Sequence, residues 1–102
     1  MNQQITIKRG DTRNAISTPL LKNGTAVDLT GCTVLFYMDA IVVGGFAQVV
    51  GNNAVYPVEE GMVNEGGLFK AEFKVTYPDG RKDTFPNHDF IYILIENDLG
   101  GK

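Results

Sequence analysis

With 102 residues, 43% of them hydrophobic and 21% charged, the chain has the length and balance of one folded core, not of a disordered or multi-domain protein. Its formal charge of −3 argues against a surface built for nucleic-acid phosphates, which carries a basic excess. The single cysteine, Cys32, leaves no internal disulfide, so burial alone must hold the fold.

Gln4-Ile5-Thr6-Ile7-Lys8 alternates polar and apolar side chains, which predicts an opening strand with one wet and one buried face. The polar start Met1-Asn2-Gln3-Gln4 lacks the profile of a secretory leader, and no apolar run approaches the roughly 20 residues of a spanning helix. Synthesis in a cytoplasm, without export and without a membrane, is the expectation. Arg9-Gly10-Asp11-Thr12 then breaks the strand: Gly10 makes the turn and the Asp11 side chain is expected to accept a local hydrogen bond. Arg9-Gly10-Asp11 also spells a tripeptide read by integrins, a match short enough to arise by chance. Lys8, Arg9 and Arg13 are the densest basic cluster, but with Asp11 among them they read as a solvated strand end.

Residues 15–21 resume an extended pattern, offering Ile16, Leu20 and Leu21 to the core. Pro19 has no amide hydrogen for a ladder, which puts this strand at an edge or a bulge. Lys22-Asn23-Gly24-Thr25 contains the Asn-Gly pair of a tight hairpin, with Ala26-Val27-Asp28 returning from it. After a corner at Leu29-Thr30-Gly31, residues 33–38 (TVLFYM) are apolar on both faces, which predicts a central strand covered on each side.

Ile41-Val42-Val43 and the runs 46–50 and 54–58 read as short strands separated by Gly44-Gly45 and Gly51-Asn52-Asn53. Turns at Glu59-Glu60-Gly61 and Asn64-Glu65-Gly66-Gly67 flank a brief Met62-Val63. No 3.6-residue periodicity or cap signals a helix here. The clearest pattern is residues 67–86: Phe69, Ala71, Phe73, Val75 and Tyr77 alternate with Lys70, Glu72, Lys74 and Thr76. Pro78-Asp79-Gly80 then turns the chain into a second short strand over 81–85. Asn87-His88-Asp89 is a loop, residues 90–96 (FIYILIE) form a last strand apolar on both faces, and a loose tail starts near 98. Eight or nine short strands with regular turns predict an all-β, immunoglobulin-like antiparallel β-sandwich in a single domain over 1–102. The cross-sheet cysteine pair and core tryptophan of a true immunoglobulin domain are missing.

Reactive clusters do not emerge. Cys32 and His88 lie too far apart in sequence for a zinc site, and Asp79, Asp89 and Glu59-Glu60 have no EF-hand spacing. His88 is the sole histidine available as a base, and Ser17 lacks a Gly-x-Ser-x-Gly elbow. The expectation is no enzyme, no catalytic residue, no metal and no cofactor, with Cys32 a small buried side chain. What remains is surfaces: sheet edges and apolar patches that pair with partners.

Taken in order, several runs resemble one family: residues 5–12 (ITIKRGDT), Lys22-Asn23-Gly24, Val27-Asp28-Leu29-Thr30-Gly31 before Thr33-Val34, residues 67–73, residues 75–82 (VTYPDGRK) and Thr84-Phe85-Pro86. Together they are similar to the N-terminal domain of the bacteriophage baseplate upper protein family, over nearly the whole chain and most thinly across 41–65. The resemblance implies an immunoglobulin-like sandwich of the tail tip that docks an adhesion component, with no catalytic residues to carry over. In that family the domain begins a longer chain, whereas this sequence stops at Lys102, which suggests a small stand-alone component of the tail, neck, head or tail tube. Its expected partners are other virion proteins, met in several symmetry-related copies, in a virion assembled in the host cytoplasm; no nucleic acid or membrane is expected. Candidate partner-binding residues are Arg9, Asp11 and Arg13 in the first turn, Phe46, Asn52 and Asn53 in the glycine-rich middle, and His88 in its loop. Two other classes stay open. One is a carbohydrate-binding module for host adhesion using Tyr37, Tyr56, Tyr77 or Tyr92, with Tyr56 the residue to test. The other is a small esterase or glycosidase built around His88 or carboxylates.

Overall fold

The computed structural model describes residues 3–13, 15–39, 43–58, 63, 65–97 and 99. Among these are eleven strands and no helix: β1 (Gln3–Lys8), β2 (Ala15–Pro19), β3 (Leu21–Lys22), β4 (Thr25–Ala26), β5 (Thr33–Met38), β6 (Val43–Phe46), β7 (Gln48–Val50), β8 (Asn53–Pro57), β9 (Gly67–Thr76), β10 (Lys82–Phe85) and β11 (Ile91–Glu96). One sheet has the order β1-β11-β9-β5-β6, with β10 also on β9; a second has β2-β8-β7; β3 and β4 form a hairpin. A single apolar core fills the space between the sheets, so the chain is an all-β sandwich of one domain.

Strand β9 is its axis. Phe69, Ala71, Phe73 and Val75 face inward and are buried, while Lys70 and Lys74 face outward and are exposed. Along one side β5 pairs with residues 71–76. Along the other, β11 covers the first half of β9 and β10 the second. Phe85 lies opposite Phe73, so an unbroken ladder would bring Asn87 opposite Ala71; Ile91 stands there instead, and the residues between loop out. Phe36, Phe73 and Phe85 are fully buried, each side chain stabilising by about 1.5–3 kcal/mol through burial.

The Asn-Gly hairpin forms as the sequence predicts, with Asn23 and Gly24 both at positive φ (54° and 80°). Pro19 ends a strand bonded only to β8, and so sits at an edge. Leu20 reaches the core, but Leu21 points outward and is 49% exposed. Pairing is antiparallel except where β1 lies parallel to β11 at the sheet edge. Alternation in β1 fixes which side chains turn inward but carries no information about partner direction.

Two expectations are corrected. Strand β5, expected to be covered on each side, is central but covered on one face only, and β11 shares this arrangement. Val34, Phe36 and Met38, and Ile91, Ile93 and Ile95, are buried, while Leu35, Tyr37, Tyr92 and Leu94 line the outer surface. Gly44-Gly45 does not interrupt the chain but lies inside β6. A side chain at Gly45 would meet the Tyr56 hydroxyl at 3.2 Å, and Tyr56 stacks on Phe36 with ring centroids 4.5 Å apart. Glycine lets the strand approach that ring pair. Beyond Phe46 the Ala47 amide donates to the Val34 carbonyl (2.8 Å), and the chain crosses into the second sheet as β7. Ile41-Val42, Met62, the Glu59-Glu60-Gly61 turn and residues 98 and 100–102 lie outside the described residues. Val63 is fully buried.

Candidate interaction surface

The residues nominated from sequence fall in four separate places. The first turn follows β1 where Lys8 pairs with Glu96. The Arg9 amide donates to the Glu96 carbonyl (2.6 Å), and the Gly10 amide, at φ 88°, donates to the Val63 carbonyl (2.9 Å). The Asp11 amide closes the turn by donating to the Lys8 carbonyl (3.1 Å), so backbone and not the expected carboxylate does the closing. Asp11 and Arg13 are exposed and Arg9 is half-buried. At the far end of β2, Pro19 pairs with Asn53, beside the Gly51-Asn52 turn of the β7–β8 hairpin. Asn53 Nδ2 donates to Ser17 Oγ (3.1 Å), so this side chain ties β8 to the edge strand. The length of β2, about 13 Å at 3.3 Å per residue, separates the two groups. His88 is exposed in the loop beside Asp89, which accepts from the Tyr92 hydroxyl (2.7 Å). Phe46 is 75% exposed at the end of β6.

Sequence reading missed a groove of about 590 Å³ lined by Lys22, Tyr77, Pro78, Asp79, Arg81, Lys82 and Asp83. Asp83 Oδ2 takes both the Lys22 ammonium and the Tyr77 hydroxyl at 2.9 Å, which clamps the β3–β4 hairpin onto β10. Lys22 first, then Tyr77, holds the Asp83 carboxyl below the usual range. Burial, then the hydrogen bond to Asp83, pushes Tyr77 up to about 12, the reverse of what a general base requires. In the turn itself Asp79 accepts the Arg81 amide (3.0 Å) and pairs with Arg81 Nε (2.9 Å). These charges satisfy one another, and their chemistry is that of a clamp. No local signal announces it, because Lys22 and Asp83 are 61 positions apart.

Cys32 packs at the rim of the core and is half-buried, not buried as expected. Burial first, then the Asp28 and Asp79 carboxylates, pushes its thiol up, away from a reactive thiolate. Among the described residues no three His, Cys, Asp or Glu side chains gather to hold a metal ion, and no helix is long and apolar enough to cross a membrane.

The outer face of the large sheet exposes several apolar side chains among charged ones. Phe46, Leu35 and Lys74 lie side by side across β6, β5 and β9, and Gly44, Tyr37 and Glu72 form the next row. Leu68 is 58% and Tyr37 39% exposed. Tyr37, Asp39, Lys70, Glu72 and Phe90 border a groove of about 380 Å³, with the Lys70 ammonium 5.2 Å from the Phe90 ring centre. Tyr56, by contrast, is only 6% exposed and belongs to the core, which removes it as a sugar-stacking residue.

Neither comparison with models of known protein families nor comparison with curated proteins finds a match to the chain.

Proposed function

We propose that the chain is a non-enzymatic structural module of a bacteriophage virion that docks to tail or baseplate proteins. The observation that carries this reading is the ordered set of motifs resembling the baseplate upper protein family. Those motifs coincide with framework elements: β1 and its turn, the β3–β4 hairpin, the corner into β5, and β9–β10. The exposed apolar sheet face supports a protein partner, since large apolar patches on small domains mark contact surfaces. In a particle, several symmetry-placed copies would let weak single contacts add by avidity. A connector at neck, head or tail tube is the same function at another position.

Cross-linking mass spectrometry on intact particles tests it, through Lys8, Lys22, Lys70 and Lys82. Links to tail-tip proteins are the expected result. Links to capsid or neck proteins keep the structural role and change its position. Particles that lack the polypeptide sink the proposal. Host adhesion by sugar binding is favoured by one observation, the exposure of Tyr37 beside Glu72 and Lys70. Glycan-array binding lost on Tyr37→Ala would support it, and a flat array would remove it.

A further inference from the structure

Paired residues of neighbouring strands present their side chains on the same face. The outer face of the large sheet therefore carries two adjacent rows, Phe46–Leu35–Lys74 and Gly44–Tyr37–Glu72. They lie two residues apart along each strand, roughly 6.6 Å.

We infer that this face pairs with a second copy of the chain, across a two-fold axis that lies crosswise to the strands, midway between the two rows. Such an axis reverses strand direction and keeps lateral position, so each row of one copy covers the other row of its mate. Lys74 then meets Glu72 of the second copy, and Glu72 meets Lys74. Leu35 packs on Tyr37, and the protruding Phe46 covers Gly44, where no side chain stands in its way. Lys70 falls opposite Thr76, so no like charges face each other along β9. An axis running along β9 would instead set Lys74 on Lys74 and Glu72 on Glu72. The alternation of charge thus favours the crosswise axis over one along β9, and a two-fold contact requires such self-complementarity.

Four strand columns flank the axis, β6, β5, β9 and β10; at about 4.8 Å per strand and six residues at about 3.3 Å they give a face of roughly 380 Å², so two faces bury about 760 Å². That is below the size of a stable specific interface, and the dimer is accordingly weak, transient and concentration-dependent. The inference does not rest on the virion reading, since it concerns the isolated chain.

Analytical ultracentrifugation of the full chain across a concentration series tests it. Glu72→Lys and Lys74→Glu each place like charges at both reciprocal contacts, and each weakens self-association at least tenfold. Combining the two changes in one chain keeps the net charge and restores the dimer. An equimolar mixture of the two single variants dimerises as well, because both contacts then join opposite charges. Phe46→Ser weakens association without rescue. Circular dichroism reports folding, which these outward-facing changes leave intact. A chain that stays monomeric at every concentration overturns the inference. So does a dimer that ignores the single substitutions, or a doubly exchanged chain that fails to recover.

Discussion

Strands β5, β9 and β11 lie side by side in the large sheet, and their inward residues are equally buried. Outward they differ. β9 shows Lys70, Glu72 and Lys74, whereas β5 shows Leu35 and Tyr37, and β11 shows Tyr92 and Leu94. Apolar outward residues here do not signal a second covering layer from the chain itself. Neighbours across a wide sheet, including the carbon stems of lysines, shelter one another to half-burial without any element above them. Where the two sides of a strand differ in polarity, alternation identifies the core face. Where both are apolar, it does not.

Substitution on the two faces puts this contrast under strain. Phe73→Ala should cause the largest effect, about 3–5 kcal/mol lost in urea unfolding, because it opens a cavity where the chain is fully buried. A loss below about 1 kcal/mol would mean the inward face is not the packed one. Asp83→Ala should cost about 1–3 kcal/mol by leaving the Tyr77 hydroxyl and Lys22 without their acceptor. Since the folded carboxyl is held low, the unfolded chain takes up its proton first. Asp83's contribution is complete above about pH 4 and fades on acidification through the folded value, so wild type and variant should converge in acid. Persistence of the full difference there would assign the loss to packing.

On the alkaline side the phenol of Tyr77 should ionise only near pH 12. Its neutral form is favoured by folding, so that stabilisation is whole below about pH 10 and lost as pH rises through the folded value. Ultraviolet titration of wild type against Tyr77→Phe should show the missing late-titrating group, and a missing group with an ordinary value would dismiss the clamp. Gly45→Ala should cost about 1 kcal/mol, because Tyr56, held against Phe36, cannot retreat from a new methyl. Tyr37→Ala, at the outward end of the comparison, should change stability by no more than about 0.5 kcal/mol. A larger loss would reveal that the outer face is structurally engaged within one copy.

Much of the fold was legible from short-range chemistry. The 67–85 hairpin, the Asn23-Gly24 turn and the edge position of Pro19 each follow from a backbone preference that acts within a few residues. Less of the candidate surface was legible. Phe46 proved exposed, but Arg9, Asn53 and His88 belong to different parts of the molecule and build no common site. The Lys22–Asp83–Tyr77 clamp joins segments that nothing in the sequence links, and Gly45 read as a break because its reason, Tyr56, sits on another strand.

By itself, then, the sequence determined the strand-and-turn grammar and the buried side of its alternating strands, because φ preferences and two-residue periodicity are local properties. Only the tertiary structure decided that β1 runs parallel to β11, that the chain crosses sheets at Ala47, and that Leu35, Tyr37 and Phe46 share an open face. Those outcomes depend on which strands become neighbours. That choice is settled by burial summed over the whole core, and no single segment encodes it.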